Sequence, residues 1–385
     1  MNDRLPDATT VVQQLRATLG PLMDAHAGRP ARGVRLTREL GLDKSLASRL
    51  VRACASGSDG EFVHHLPSPT GLRKLLDAAL GRGSDTASAA AAVDGYQQLL
   101  DSLPGSRQTL EAQLGCGSRL VRERLGHASR QAVFKAQSYL FGHGCDTIAS
   151  ALFLWPSAEG PWVDALEVHR RRGLWRVQPD VAVPLLSVMP RTAATDGTTM
   201  APLHGQGDPA DYLLGPAVAL QVIQDGPVTT LVLPPELDPL PDALDTAYQV
   251  RHALPLARAE GWQRLRNYML HTPCKRVWRE LYLARDLWPG ARADTLFQLP
   301  SPSGVQLPDA TPDQPHHRRL ALQAPLTELG TDPLATQPDE LPDHAAVLRH
   351  ALALAGLSGQ AWRGWRSELA YPLPLVEMQW LLQPG

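Results

Sequence analysis

Lysine is nearly missing from this chain: Lys44, Lys74, Lys135 and Lys275 are the only four among 37 basic residues. The remainder are arginine, and with abundant Ala, Leu, Gly and Pro this skew matches GC-rich bacterial coding, so arginine count alone carries no function. Cysteine is also sparse. Cys54, Cys116, Cys145 and Cys274 lie far apart with no CxxC or Cys/His clip, which excludes a zinc-ribbon or disulfide framework and suits a reducing cytosol. No apolar run approaches the ~20 residues a bilayer requires; the most apolar stretch is "YLLGPAVALQVI". The opening "MNDRLPDATTVVQQLR" lacks the apolar core of a signal peptide. The expectation is therefore a cytoplasmic chain with no membrane partner. An excess of one charge is absent too, since the net charge is -2 and the pI about 6.7. Affinity for nucleic acid would have to come from a local patch.

Tryptophan is missing from the first 154 residues, and all nine lie from Trp155 to Trp380. This shift divides the 385 residues into a helical part, about 1–143, and a larger mixed part, about 144–385. In the first, Val11, Leu15, Leu19 and Leu22 form one stripe of an amphipathic helix. "SPTGLRKLLDAALGRG" offers Ser68 as N-cap, Pro69 at the first helical position and Gly81 as a stop. From Cys145 onward, "TIASALFLW", "WVDALEVHRR", "GLWRVQ" and "VAVPLLSV" read as short strands between Pro and Gly turns. "AVALQVIQDG" and "VTTLVLP" read as a strand pair turning at Asp225-Gly226. "DALDTAYQVRHALPLARAEGWQRLRNYML" reads as helix broken at Pro255, and "RVWRELYLARDLW" fits helix or strand. A proline-rich irregular stretch covers about 299–343, a helix follows in "DHAAVLRHALALAGL", and "ELAYPLPLVEMQWLL" could return to the sheet as a terminal strand. The fold class expected is α+β and multidomain, all-helical first and mixed second.

One segment carries a mechanism. "VRLTRELGLDKSLASRLVRA", 34–53, offers a first helix, a turn at Gly41 and a second helix capped by Asp43. Leu46, Ala47, Leu50 and Val51 share one side of that helix, while Lys44, Ser45, Ser48, Arg49 and Arg52 share the other. Such donors suit guanine edges and phosphates. From Arg29 to Arg52, seven basic residues (Arg32 and Arg35 among them) face two acidic ones, and "RPARGVR" could form an arm on the DNA backbone or minor groove.

The stretch resembles the helix-turn-helix of bacterial transcriptional regulators, familiar as "LAxxLGVSxSTVSRxL". It matches at Leu36, Leu40, Gly41, Ser45, Ser48 and Arg49 and departs at Thr37, Asp43 and Ala47. The resemblance implies a sequence-specific regulator on double-stranded DNA, acting as a homodimer, with a small-molecule effector a possible ligand of the second part. Its DNA-contacting residues would be Lys44, Ser45, Ser48, Arg49, Arg52, Arg35 and Arg32.

Other constellations carry less. His64-His65 and the "HHRR" of 316–319 lack HExxH-type spacing and read as surface histidines, so no metal is expected. "GCGSRLVRERLG" lacks the third glycine of a dinucleotide fingerprint, and neither a GxSxG elbow nor a P-loop occurs, so no cofactor is expected. Arg119, Arg122, Arg124 and Arg130 could extend a basic surface. "EVHRRRG" from Glu167 reads as an exposed turn that could alternatively bind phosphate. Trp362 and Trp365 suit a core, a dimer interface or a ligand pocket. Lacking a recognisable nucleophile–base or metal spacing, the sequence points away from an enzyme. The alternatives are an enzyme in the α+β region built from distant residues, or a scaffold whose hairpin does not touch DNA.

Overall fold

Helix starts in the first part are set by side-chain caps. In the computed structural model, which describes residues 7–103, 107–115, 119–188, 199–225, 228–257, 261–300 and most of 318–383, Asp7 caps α1 (Ala8–Ala27). Asp43 Oδ1 accepts from Leu46 N at 2.8 Å to begin α3 (Lys44–Cys54), and Gly41, at φ 68°, ends α2 (Gly33–Leu40) in the left-handed region that only glycine enters without steric cost. Ser58 caps α4 (Asp59–His65), and Ser68 with Pro69 begins α5 (Pro69–Leu80) as expected. Then follow α6 (Ala87–Ser102), α7 (Arg107–Gly115) and α8 (Arg119–Phe141). Leu15, Leu19, Leu36, Leu50, Phe62 and Tyr96 fill the core of this helical unit, and the Leu42 between α2 and α3 is buried. Val51 is only half-buried; Ala53 takes the inward position beside Leu50.

The chain divides into compact units at 128/129 rather than at 143/144. The later half of α8 explains the difference. Its Phe134 ring packs on Trp175 and Tyr371, and Arg130 Nε donates to the Ala370 carbonyl at 3.1 Å. That bond also removes Arg130 from a basic surface.

The second unit is built on a seven-stranded sheet. Its strands are β1 (His143–Pro156), β2 (Trp162–Arg176), β4 (Thr199–Pro202), β7 (Ala243–Pro255), β9 (Cys274–Ala284), β11 (Leu326–Glu328) and β12 (Trp362–Ala370), in the order β11-β12-β9-β1-β2-β7-β4. β1 and β9 run parallel and the other pairs antiparallel. A three-stranded sheet holds β3 (Val183–Val188), β6 (Val228–Leu233) and β5 (Gln221–Asp225); another holds β10 (Arg292–Gln298), β13 (Glu377–Gln383) and β8 (Gln263–Met269). α9 (His344–Leu354) completes the unit.

The segment expected to be helical around Pro255 is instead β7 and β8, and the ambiguous "RVWRELYLARDLW" contains β9. Pairing decides this: β7 bonds to β2 over Ala243–Pro255, and that ladder outweighs the helix propensity of its Ala and Leu residues. β13 runs between β10 and β8, as the terminal-strand reading anticipated, though in a small sheet of its own. The register of β2 on β7 shifts once, between Val163 and Ala165, where Asp164 accepts from the His252 amide at 2.8 Å. The Asp225-Gly226 turn lies partly outside the described residues, as do Cys116 and His316. Among the described residues no helix is long and apolar enough to cross a membrane.

Candidate functional site

The polar face of α3 is where the sequence placed function. Lys44, Ser45 and Arg52 are exposed there, Ser48 is half-buried, and Arg32 lies exposed at the start of α2. Arg35 pairs with Glu39 one turn on, at 2.8 Å. Arg49 is exposed too, yet it reaches across to α4: its Nη2 donates to the Leu66 carbonyl at 2.7 Å. Arg107 donates to the Val63, His64 and Leu66 carbonyls of the same region. The two guanidiniums thus satisfy the carbonyls that end α4, where helix geometry leaves four without partners and the dipole favours cations. Burial and the neighbouring Arg107 both ease the Arg49 guanidinium toward losing its proton. Arg49, expected among the DNA contacts, thus also caps α4. Asp43 and Ser68, which cap α3 and α5, line with Lys74 a shallow depression of about 220 Å³ beside it.

His64 and His65 stand in the last turn of α4 rather than in a loop, and His64 Nδ1 lies 3.4 Å from Glu111. Arg124 is exposed on α8. Trp362 and Trp365 are buried in the core of the sheet unit.

β2 carries the unexpected chemistry. "EVHRRRG" is no exposed turn; Glu167, His169, Arg170 and Arg171 are all buried in mid-strand. Strand period two sends Glu167, His169 and Arg171 to one face and Arg170 and Arg172 to the other.

On the second face the charges balance. Asp245, opposite Arg170 on β7, accepts from Arg170 Nε at 3.0 Å and from Arg172 Nη1 at 2.8 Å. Asp343, just before α9, lies 2.9 Å from Arg170 and accepts from Arg172 at 3.1 Å. Arg170 Nη1 also donates to His344 Nδ1 at 3.2 Å. A guanidinium offers no lone pair, so His344 accepts at Nδ1 and donates from Nε2 to Glu280 Oε2 at 2.7 Å. Glu280 further accepts from Arg366 Nε at 2.7 Å and the Tyr282 hydroxyl at 2.9 Å. Burial alone would raise the Glu280 carboxyl, but His344 and Arg366 outweigh it and hold it below the ordinary range. Three guanidiniums meet three carboxylates. This set fastens α9 to the sheet.

On the first face they do not balance. Glu167 Oε2 accepts from the Tyr248 hydroxyl at 2.6 Å and lies 3.3 Å from His169 Nε2. The His169 ring stacks with both Tyr248 and Tyr268, at 5.7 and 5.4 Å between centroids. Beside them Arg279, from β9, is 3% exposed and lies 6.0 Å from the Tyr268 ring and 5.0 Å from that of Trp380. Its Nε and Nη1 have no hydrogen-bond partner among the described residues, nor do Nε and Nη1 of the buried Arg171, whose Nη2 donates to the Leu185 carbonyl. Ring faces return ~0.5–2 kcal/mol to a cation, less than the several kcal/mol that burying an ion costs. Burial accordingly pulls Arg279 down to about 10, against the opposing pull of Tyr268 and Glu167. It pushes the Tyr268 hydroxyl up to about 12 even though Arg171 and Arg279 both favour its ionised form. Burial likewise holds the Cys274 thiol well above its usual value, which removes it as a nucleophile. Period two along "EVHRRRG" was the signal available in the sequence.

No protein-family model and no curated protein matches the chain. Solved structures with some likeness include one described as a "putative protease" from Parabacteroides distasonis, at 10% identity and TM-score 0.24, over 62% of this chain and 40% of that one. Another is an M1 zinc metallopeptidase from Deinococcus radiodurans, also at 10% and 0.24, over 63% of this chain and 42% of that one. The chain thus spans well under half the length of either, and likeness at this level transfers neither fold nor activity. Among the described residues no three His, Cys, Asp or Glu side chains are grouped to hold a metal ion.

The placement of Arg49 corrects the functional expectation. Arg49, one of the seven residues expected to contact DNA, is engaged with the carbonyl that ends α4. The reading as a DNA-binding transcriptional regulator without enzymatic activity is withdrawn.

Proposed function

We propose that the chain is an enzyme whose active site is assembled in the sheet unit from residues distant in sequence. The observation that carries this reading is the Tyr248–Glu167–His169 set, with the Tyr248 hydroxyl 2.6 Å from Glu167 and His169 Nε2 3.3 Å from the same carboxylate oxygen. A histidine fixed between two aromatic rings and turned toward a carboxylate is suited to general acid–base work. When the imidazole takes up a proton, the new positive charge lies against Glu167, and Tyr248 keeps that carboxylate in place. No covalent nucleophile is required. The reaction class is proton transfer to or from a small molecule, with His169 exchanging the proton and Glu167 positioning it.

The test is turnover. Purified protein is incubated with a complex small-metabolite extract, and depletion is followed by mass spectrometry beside His169→Gln and Glu167→Gln. Compounds consumed by the native chain should be spared at least ~100-fold by His169→Gln, in line with the usual contribution of a general acid–base group. Identical profiles for the native and His169→Gln proteins would sink the reading.

A further inference from the structure

We propose that Arg171 and Arg279 together bind the oxyanion group, carboxylate or phosphate, of a small-molecule ligand on the Glu167–His169 face of the sheet. This deepens the enzyme reading by naming the substrate's chemical class, and it rests on that reading only for the step that follows binding.

Register places the two side chains together. Arg171 pairs across β1 with Ile148, and Arg279 on the far side of β1 pairs with Ser150. Ile148 and Ser150 are two residues apart, so both arginines leave the same face. Each is at least nine-tenths buried, and each has two guanidinium nitrogens without a hydrogen-bond partner among the described residues. The Tyr268 hydroxyl feels the charge of both. Arg279 Cζ lies over the Tyr268 and Trp380 rings, and neither ring can accept in place of an oxygen at Nε and Nη1. Guanidinium N–H groups are matched by the oxygens of a carboxylate or a phosphate.

Charge points the same way. Among the described residues Glu167 is the carboxylate whose charge acts on Arg279, and its Oε2 accepts from Tyr248 and lies 3.3 Å from His169. The acids on the other face of the strand, Asp245, Asp343 and Glu280, are fully used by Arg170, Arg172, Arg366 and His344. The open nitrogens of Arg171 and Arg279 therefore stand apart from the ion pairs of the other face. A ligand oxyanion would complete the balance and set the rest of the molecule beside His169, where proton transfer is proposed.

The full-length protein is titrated with inorganic phosphate, with succinate, and with neutral succinamide, at ionic strength held constant with sodium chloride. Melting temperature and calorimetric heat are the readouts. The expectation is a saturable upward shift with phosphate or with succinate, and none with succinamide. Which of the two acts separates a phosphate ligand from a carboxylate one. Arg279→Met and Arg171→Met should each weaken the effective anion at least tenfold, while His169→Gln retains it. Absence of any saturable shift in the native protein overturns the proposal whatever the variants do, as does a shift that both arginine variants preserve. Anion binding without turnover would leave this site standing and remove the acid–base reading. Turnover without anion binding would do the reverse.

Discussion

Arg170 and Arg171 are neighbours on one strand, both buried, yet they meet opposite circumstances. Arg170 reaches two carboxylates and a histidine ring, in a set whose other end is Glu280 with Arg366, Tyr282 and α9. Arg171 finds a single carbonyl, and Arg279 two aromatic rings. A buried charge network that satisfies itself explains its own presence, because it ties one element to another. One that leaves donors over asks for something further. The difference separates the part of β2 that holds the fold from the part that faces a ligand, although both are arginines in one short run.

The largest effect should come from the balanced side. Glu280→Ala leaves Arg366 and His344 buried without their anion, and urea denaturation should show a loss of about 3–5 kcal/mol. A loss below ~1 kcal/mol would erase the distinction between the faces. Acid should give the next effect, at β1. Burial, with the charges of Arg176 and Arg171 adding to it, pulls His143 from 6.5 down to about 4. The unfolded chain therefore binds that proton first. His143 contributes stability that is full above 6.5 and is lost as pH falls toward 4, on the order of 3 kcal/mol. In His143→Asn, that slope of melting temperature against pH should flatten. The smallest effect carries the opposite sign to the first. Arg279→Met removes an unmatched cation while keeping apolar contact with Trp380, so stability in anion-free buffer should stay level or rise by ~1 kcal/mol. A clear fall would make Arg279 a structural residue.

Local chemistry made the helical unit legible. Gly41, Asp43, Ser68 and Pro69 act through bonds within a few residues, and the structure places each where those rules put it. The use of that unit was misread because Arg49 acts on the Leu66 carbonyl, seventeen residues onward, and helix periodicity does not report such a partner. In the sheet unit, strands alternate burial only when one face is wet. β1 and β2 are covered on both, so their sequences read as continuous runs and the charges among them looked solvated. Glu167, Tyr248, Tyr268 and Arg279 meet only through strand pairing, and no spacing in the chain records that encounter.

The irregularity at Asp164 has a consequence for how this protein could change. It acts as a phase setter: whatever follows it on β2 inherits its choice of side. Losing or gaining one residue between there and Glu167 would turn the strand inside out, sending Arg170 toward Trp380 and Arg171 toward α9. Substitutions can adjust either lining independently, but a one-residue length change in this strand would exchange the two at once.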